Sequence, residues 1–278
     1  MMVDSPPTSE MTPGPVELSL IIPVYNGDGV IGESVQRARN FLEKWGQPYE
    51  ILVIDDGSSD NTDAVVEELV DDRIRLLRLE VNQGKFAAIR TGMIQATGRC
   101  RVFTDADLPY DLEALPYVVE LINSQGFHLA VGDRSLPGSR SMGSSRVARK
   151  VSSRVFSFCV RMLVTGGLFD SQCGLKAFDG RVAEAIFPLL TDTGFSGDVE
   201  LLYIALKYNL SIRRIPVRLQ RSSPSTVKLR AHSLPMLIRI LGLRRNWTSG
   251  RYASETLATL GSQTYWAEPG RERRGEDE

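Results

Sequence analysis

The stretch VFTDADLPYD, residues 102–111, places Asp105, Asp107 and Asp111 within seven residues, straight after an apolar run. Carboxylates this close repel one another, and each raises its neighbour's pKa. In an extended segment residues i and i+2 point the same way, so Asp105 and Asp107 can aim at one point. A hard divalent cation would relieve the crowding. Mg²⁺ or Mn²⁺ takes one or two carboxylates and fills its other positions with water and substrate phosphates. The plain alternative is that these acids only cap and turn. That reading suits Asp111, which precedes the helical run LEAL. It leaves unexplained a second acid pair, Asp55-Asp56, which follows ILVI.

Phosphate chemistry is suggested again by NQGKFAAIRTG, residues 82–92, which opens a helix with Gly84 and Lys85. Unpaired backbone N–H groups and the helix dipole favour an anion at such an end, and Lys85 adds a charge. Gly84, Ala88, Gly92 and Ala96 recur every four residues, a stripe that lets the helix lie close on a sheet. Close packing accounts for the stripe but not for Lys85.

These residues need a frame. LSLIIPV (18–24), EILVID (50–55), IRLLRL (74–79), CRVFTD (100–105) and HLAVGD (128–133) read as strands. Helical stretches fall near 31–45, 60–70, 85–96 and 112–124. Strand–helix alternation predicts an α/β fold with a parallel sheet covered on both faces. Ligands in such sheets bind outside the carboxyl ends of the strands, where both acid pairs fall.

One motif competes. Gly27, Gly29 and Gly32 form a literal G-x-G-x-x-G after a strand and before a helix, with Asp55 downstream. An NAD-dependent oxidoreductase is therefore an alternative. Against it, Pro23, Val24, Tyr25 and Asn26 stand between the apolar run LSLII and the first glycine, so the turn is not tight. Asp28 would put a carboxylate in the pyrophosphate cradle, and the Asp105/Asp107 pair would have no task.

Composition sets further bounds. The 278 residues are 42% hydrophobic, and no uncharged apolar run nears the length of a membrane span. Residues 1–17 read as a disordered leader without a signal-peptide core, 18–245 as the folded domain, and 246–278 as a loose polar tail. Cys100, Cys159 and Cys173 share no metal-ligand spacing and fit a reduced, cytoplasmic protein. His128 and His232 lie far apart and read as structural. The net charge of −1 hides segregation. Residues 134–169 hold seven Lys or Arg and residues 201–254 hold eleven, with no acid in either stretch. Such surfaces are solvated faces or meet an anionic partner.

LSLIIPVYN (18–26), ILVIDDGSSDNT (51–62), NQGKFAAIRTG (82–92) and FTDADL (103–108) together resemble the family 2 glycosyltransferases, which have the GT-A fold. FDSQCGLKAF (169–178), GFSGDVELLYIALKYNLSIRRIPV (194–217) and STVKL (225–229) resemble the polyprenyl-phosphate sugar synthases, the dolichyl-phosphate glucosyltransferases among them. The resemblance implies a Rossmann-like, mostly parallel sheet with a basic helical acceptor region. It implies that Pro23, Tyr25 and Asp56 line a nucleoside pocket with Asp55 beside them. Asp105 and Asp107 would hold Mg²⁺ or Mn²⁺, with Asp105 also near the donor, and Lys85 would face the donor diphosphate. Asp170, Gln172 and Lys176 would face the reacting centre, and Lys228 would help close over it. Those glucosyltransferases usually carry an N-terminal membrane anchor, and this sequence shows no such segment.

The implied reaction is inverting transfer of a hexose from UDP-glucose or GDP-mannose to a polyprenyl phosphate. A hydroxyl acceptor needs a general base, for which Asp198 and Asp170 compete, and Asp198 also reads as a helix cap. A phosphate acceptor, with a second pKa of about 6, is already mostly ionised and needs cations more than a base. RVARKVSSRVFSFCVRML, residues 146–163, reads as an amphipathic helix with Arg146, Lys150 and Arg154 on its basic side. It fits an anionic phosphate or the cytoplasmic membrane face, or is an ordinary packing helix. Nucleic acid is disfavoured, because no aromatic residues alternate with the basic ones. Two further alternatives are a soluble glycosyltransferase acting on a small-molecule or protein hydroxyl, and a nucleotide-sugar-binding protein without turnover.

Overall fold

The computed structural model describes residues 15–139, 170, 173–194, 196–220 and 242–263. Strands β1 (Leu18–Val24) and β2 (Tyr49–Asp55) are buried at every position. An apolar strand with no polar face needs cover on both sides, which a central parallel strand receives. Helix α1 (Asp28–Trp45) joins them, and α2 (Thr62–Glu67) leads to β3 (Ile74–Arg78). Then come α3 (Lys85–Gln95), β4 (Cys100–Phe103), α4 (Ala114–Val119, continued by a wider turn to Ser124) and β5 (Leu129–Asp133). The second half adds β6 (Lys176–Asp179), α5 (Gly180–Ile186), α6 (Gly197–Lys207) and β7 (Ile212–Pro216). It closes with helical residues 242–248 (α7) and α8 (Glu255–Ser262).

Among the described residues the sheet has seven strands in the order β3-β2-β1-β4-β6-β5-β7. All neighbours are parallel except β6, which runs antiparallel to both β4 and β5. Alternate residues feed opposite cores. Ile21, Ile54, Phe103 and Phe178 pack with α3, α5, α6 and α8. Leu20, Ile22, Val53 and Val102 pack with α1 and α4 on the other face. The small-residue stripe of α3 does lie on the sheet, with Ala88, Gly92 and Ala96 buried.

Two expectations change. First, β4 ends at Phe103 and the acids leave the strand. Leu108 N donates to Asp105 O at 3.0 Å, closing a turn around the pair, so the extended-strand alternation does not set their direction. Second, the loose-tail reading fails for 246–263. Tyr252, Leu257 and Leu260 are buried against α5 and α6, and Ser254 caps α8 by accepting from Leu257 N. The sheet is mostly parallel, as the resemblance implied, with β6 its one antiparallel strand among the described residues. His128 is structural as expected, its Nδ1 accepting from Ser211 N at 3.0 Å. The expected helix over 146–163 lies outside the described residues.

Candidate active site

The carboxyl ends of β1, β2 and β4 meet at one edge of the sheet, and antiparallel β6 starts there, with Lys176 paired to Phe103. Pro23 is buried within β1, and Tyr25, just beyond it, is 49% exposed. Asp55 is the last residue of β2 and wholly buried. Its Oδ1 accepts from Ser58 N at 2.9 Å, and Oδ2 lies 3.6 Å from Arg78 Nε. Asp56 is also buried, and accepts from Gln83 N at 2.8 Å and Gly84 N at 2.9 Å. Burial raises its pKa, partly offset by those two N–H groups.

These bonds revise the reading of the α3 N-terminus. Gly84 N and Gln83 N are taken by Asp56, and Phe86 N donates to Thr193 O at 2.9 Å. The backbone there is a protein joint rather than an open anion cradle. The Lys85 side chain supplies the charge instead. It ion-pairs with Asp105, and its ammonium also feels Asp198 and Asp107. Burial opposes the charge on Lys85, but the three acids outweigh it and hold the pKa above the ordinary lysine value.

Asp105 and Asp107 are both partly exposed, so their hard oxygens can reach a cation. Among the described residues no group of three or more His, Cys, Asp and Glu side chains assembles as a metal site. A divalent ion here would take one or two carboxylates and leave its other positions to phosphate and water, which suits Mg²⁺ or Mn²⁺. Space for Asp105 is reserved by Gly174, where a Cβ would sit 2.1 Å from Asp105 Oδ2. The residues present fit such an ion.

Two acids had been candidates for a base, and both are engaged. Asp198, in the first turn of α6, accepts from Lys176 Nζ at 2.6 Å. Lys176 has no exposed surface and also donates to Cys173 O at 2.6 Å. It therefore cannot face a reacting anion directly, contrary to the expectation from sequence; it holds Asp198. Asp170 is gripped by Arg134, which donates from Nε at 2.7 Å, Nη2 at 2.8 Å and the backbone N at 3.0 Å. Burial pushes the Asp170 carboxyl up, yet Arg134 outweighs it and the pKa ends below the usual range. Arg134 was not singled out from the sequence; its place one residue past β5, at this same edge, was the available signal. Gly174 and Thr193 were missed because their roles appear only in packing. Gln172, Lys228, Arg146, Lys150 and Arg154 lie outside the described residues.

The dinucleotide alternative fails on geometry. The amides of Asn26, Gly27 and Asp28 donate to Ser58 Oγ, Thr62 Oγ1 and Asp60 Oδ2. The glycine motif thus binds its own neighbouring loop and offers no cradle to a pyrophosphate.

The sheet edge thus gathers an aspartate pair, a facing lysine and two buried aspartates at the ends of parallel strands. The chain belongs to glycosyl transferase family 2, whose model matches residues 19–186. The dolichyl-phosphate beta-glucosyltransferase of Drosophila melanogaster is 33% identical over 76% of this chain and 69% of its own length. That of Dictyostelium discoideum is 29% identical over 84% and 76%. Glucosyl-3-phosphoglycerate synthase from Mycobacterium tuberculosis, solved with Mn²⁺, UDP and glucosyl-3-phosphoglycerate, superposes with TM-score 0.57. It is 19% identical, over 83% of this chain and 79% of that one, and shares the GT-A fold. The chain is a glycosyltransferase.

Proposed function

We propose that this enzyme transfers a hexose, with inversion, from UDP-glucose or GDP-mannose to a polyprenyl phosphate. The observation that carries the acceptor class is the engagement of both candidate bases. Asp170 is gripped by the Arg134 guanidinium, and Asp198 is the ion-pair partner of the buried Lys176, so neither carboxylate is free of a cation. A hydroxyl acceptor needs a base within reach. A phosphate acceptor arrives ionised and does not. The likeness to the dolichyl-phosphate glucosyltransferases supports the same choice.

Each residue then has a task. Tyr25 offers an exposed ring to the nucleoside base, and Asp55 and Asp56 shape the floor beneath it. Asp105 and Asp107 hold Mg²⁺ or Mn²⁺, which when bound stabilises the charge growing on the departing diphosphate. Lys85 faces that diphosphate from α3. Lys176 fixes Asp198, and Arg134 fixes Asp170, on the acceptor side of the sheet edge. Gln172, Lys228, Arg146, Lys150 and Arg154 complete the acceptor phosphate site, the last three also meeting an anionic membrane surface. No described helix is long and apolar enough to cross a membrane. Sedimentation with anionic vesicles at low salt tests the surface contact, and indifference to them rules it out.

The deciding experiment is a panel of nucleotide sugars offered with and without Mn²⁺. Metal-dependent binding of one of them, with sugar appearing on a short polyprenyl phosphate, is the expected result. Binding with no sugar reaching the polyprenyl phosphate would overturn the proposed acceptor.

A further inference from the structure

The buried carboxylate of Glu200 lies outside the residues matched by the family and has no part in the reaction described above. It is 1% exposed, so its charge needs full compensation from hydrogen bonds. It receives four. Oε2 accepts from Thr191 N at 2.9 Å and Asp192 N at 2.8 Å. Oε1 accepts from Thr191 Oγ1 and from the Tyr252 hydroxyl, both at 2.6 Å. Tyr252 Oη in turn accepts from Asn246 Nδ2 at 3.0 Å. One carboxylate thus ties the loop after residue 190 to the C-terminal segment.

That loop bears on the donor side of the site. Thr193 O accepts from Phe86 N in the first turn of α3. It presses on Gly84, whose φ is +103° and where a Cβ would sit 2.4 Å from Thr193 O. Gly84 N is held by Asp56, and the next residue, Lys85, pairs with Asp105. The chain of contacts runs from Tyr252 through Glu200 to Asp192, and from the adjoining Thr193 to Gly84 and Phe86, on either side of Lys85.

We infer that Glu200 is a positioning residue for the donor site, clamping loop 191–194 on the N-terminal end of α3 and making the 246–252 segment part of that frame. The word donor rests on the function proposed above; the clamp itself does not.

The test compares Glu200→Gln and Tyr252→Phe with Tyr208→Phe. Tyr208 donates to Tyr252 O and accepts from Ser254 N, so it serves the same segment without touching Glu200. Amide exchange is followed in the free protein, and UDP binding with Mn²⁺ by calorimetry. Glu200→Gln should speed exchange at 191–194 and 84–87, and weaken UDP by about tenfold, the scale of one lost charge-assisted hydrogen bond. At saturating donor kcat should change far less than KM. Tyr252→Phe should act in the same direction more weakly, and carries the test if Glu200→Gln does not fold. Tyr208→Phe should lower only the melting temperature. Exchange at 84–87 and UDP affinity unchanged in both Glu200→Gln and Tyr252→Phe would overturn the clamp. If the unaltered protein bound no nucleotide, the proposed function would fall, while the exchange data would still decide the clamp.

Discussion

Lys176 and Asp198 form an ion pair in which the lysine has no exposed surface while the aspartate side chain keeps 12% of its own. The asymmetry has consequences. Asp198→Asn strands an ammonium that cannot reach water, whereas Lys176→Met leaves a carboxylate that can. Breaking a buried pair costs about 3–5 kcal/mol. Asp198→Asn should approach that figure in chemical denaturation, and Lys176→Met should fall short of it. An Asp198→Asn protein as stable as the parent would show that the pair does not form in solution.

The aspartate pair at 105 and 107 is expected to carry the metal. Asp107→Asn removes a charge with little change in volume, so the fold should survive and transfer should fall by orders of magnitude. Gly174→Ala pushes a methyl into the space of the Asp105 carboxylate. It should raise the Mn²⁺ needed for half-maximal activity about tenfold or more, as changes beside metal ligands do. Full activity of either variant in EDTA would exclude the metal from the reaction.

Asp170 provides a pH signature. Arg134 holds its folded-state pKa below the unfolded value, so the pair's stability is complete above about pH 4, near the ordinary aspartate pKa. It is lost as the pH falls through the depressed folded-state pKa. Asp170→Asn should therefore destabilise the protein at neutral pH and flatten the acid limb of the melting-temperature profile. An unchanged acid limb would place the titration elsewhere.

The four strand–helix units, the aspartate pair and Lys85 were legible because each is local. A period-2 or apolar run, a turn and a charge at a strand end all fall within a dozen residues. β6 was not legible as a strand. It has four residues and begins with a lysine, which reads as exposed until Asp198, 22 residues on, is seen to neutralise it. The Arg134–Asp170 grip spans 36 residues and leaves no local pattern. The C-terminal helices were misread as tail because their surroundings are polar. Their burial rests on a few side chains, Tyr252, Leu257 and Leu260, with Glu200 as the partner of Tyr252. The α3 N-terminus misled in the opposite way: its amides looked available, but Asp56 and Thr193 occupy them.

The acceptor is the central claim, and one assay meets it directly. The donor selected from the nucleotide-sugar panel is supplied in radiolabelled form with Mn²⁺ to a short polyprenyl phosphate and, separately, to the matching polyprenol. Label should pass to the phosphate and not detectably to the alcohol, because the alcohol lacks the ionised oxygen that replaces a base. Transfer to the polyprenol with none to the phosphate would contradict the account.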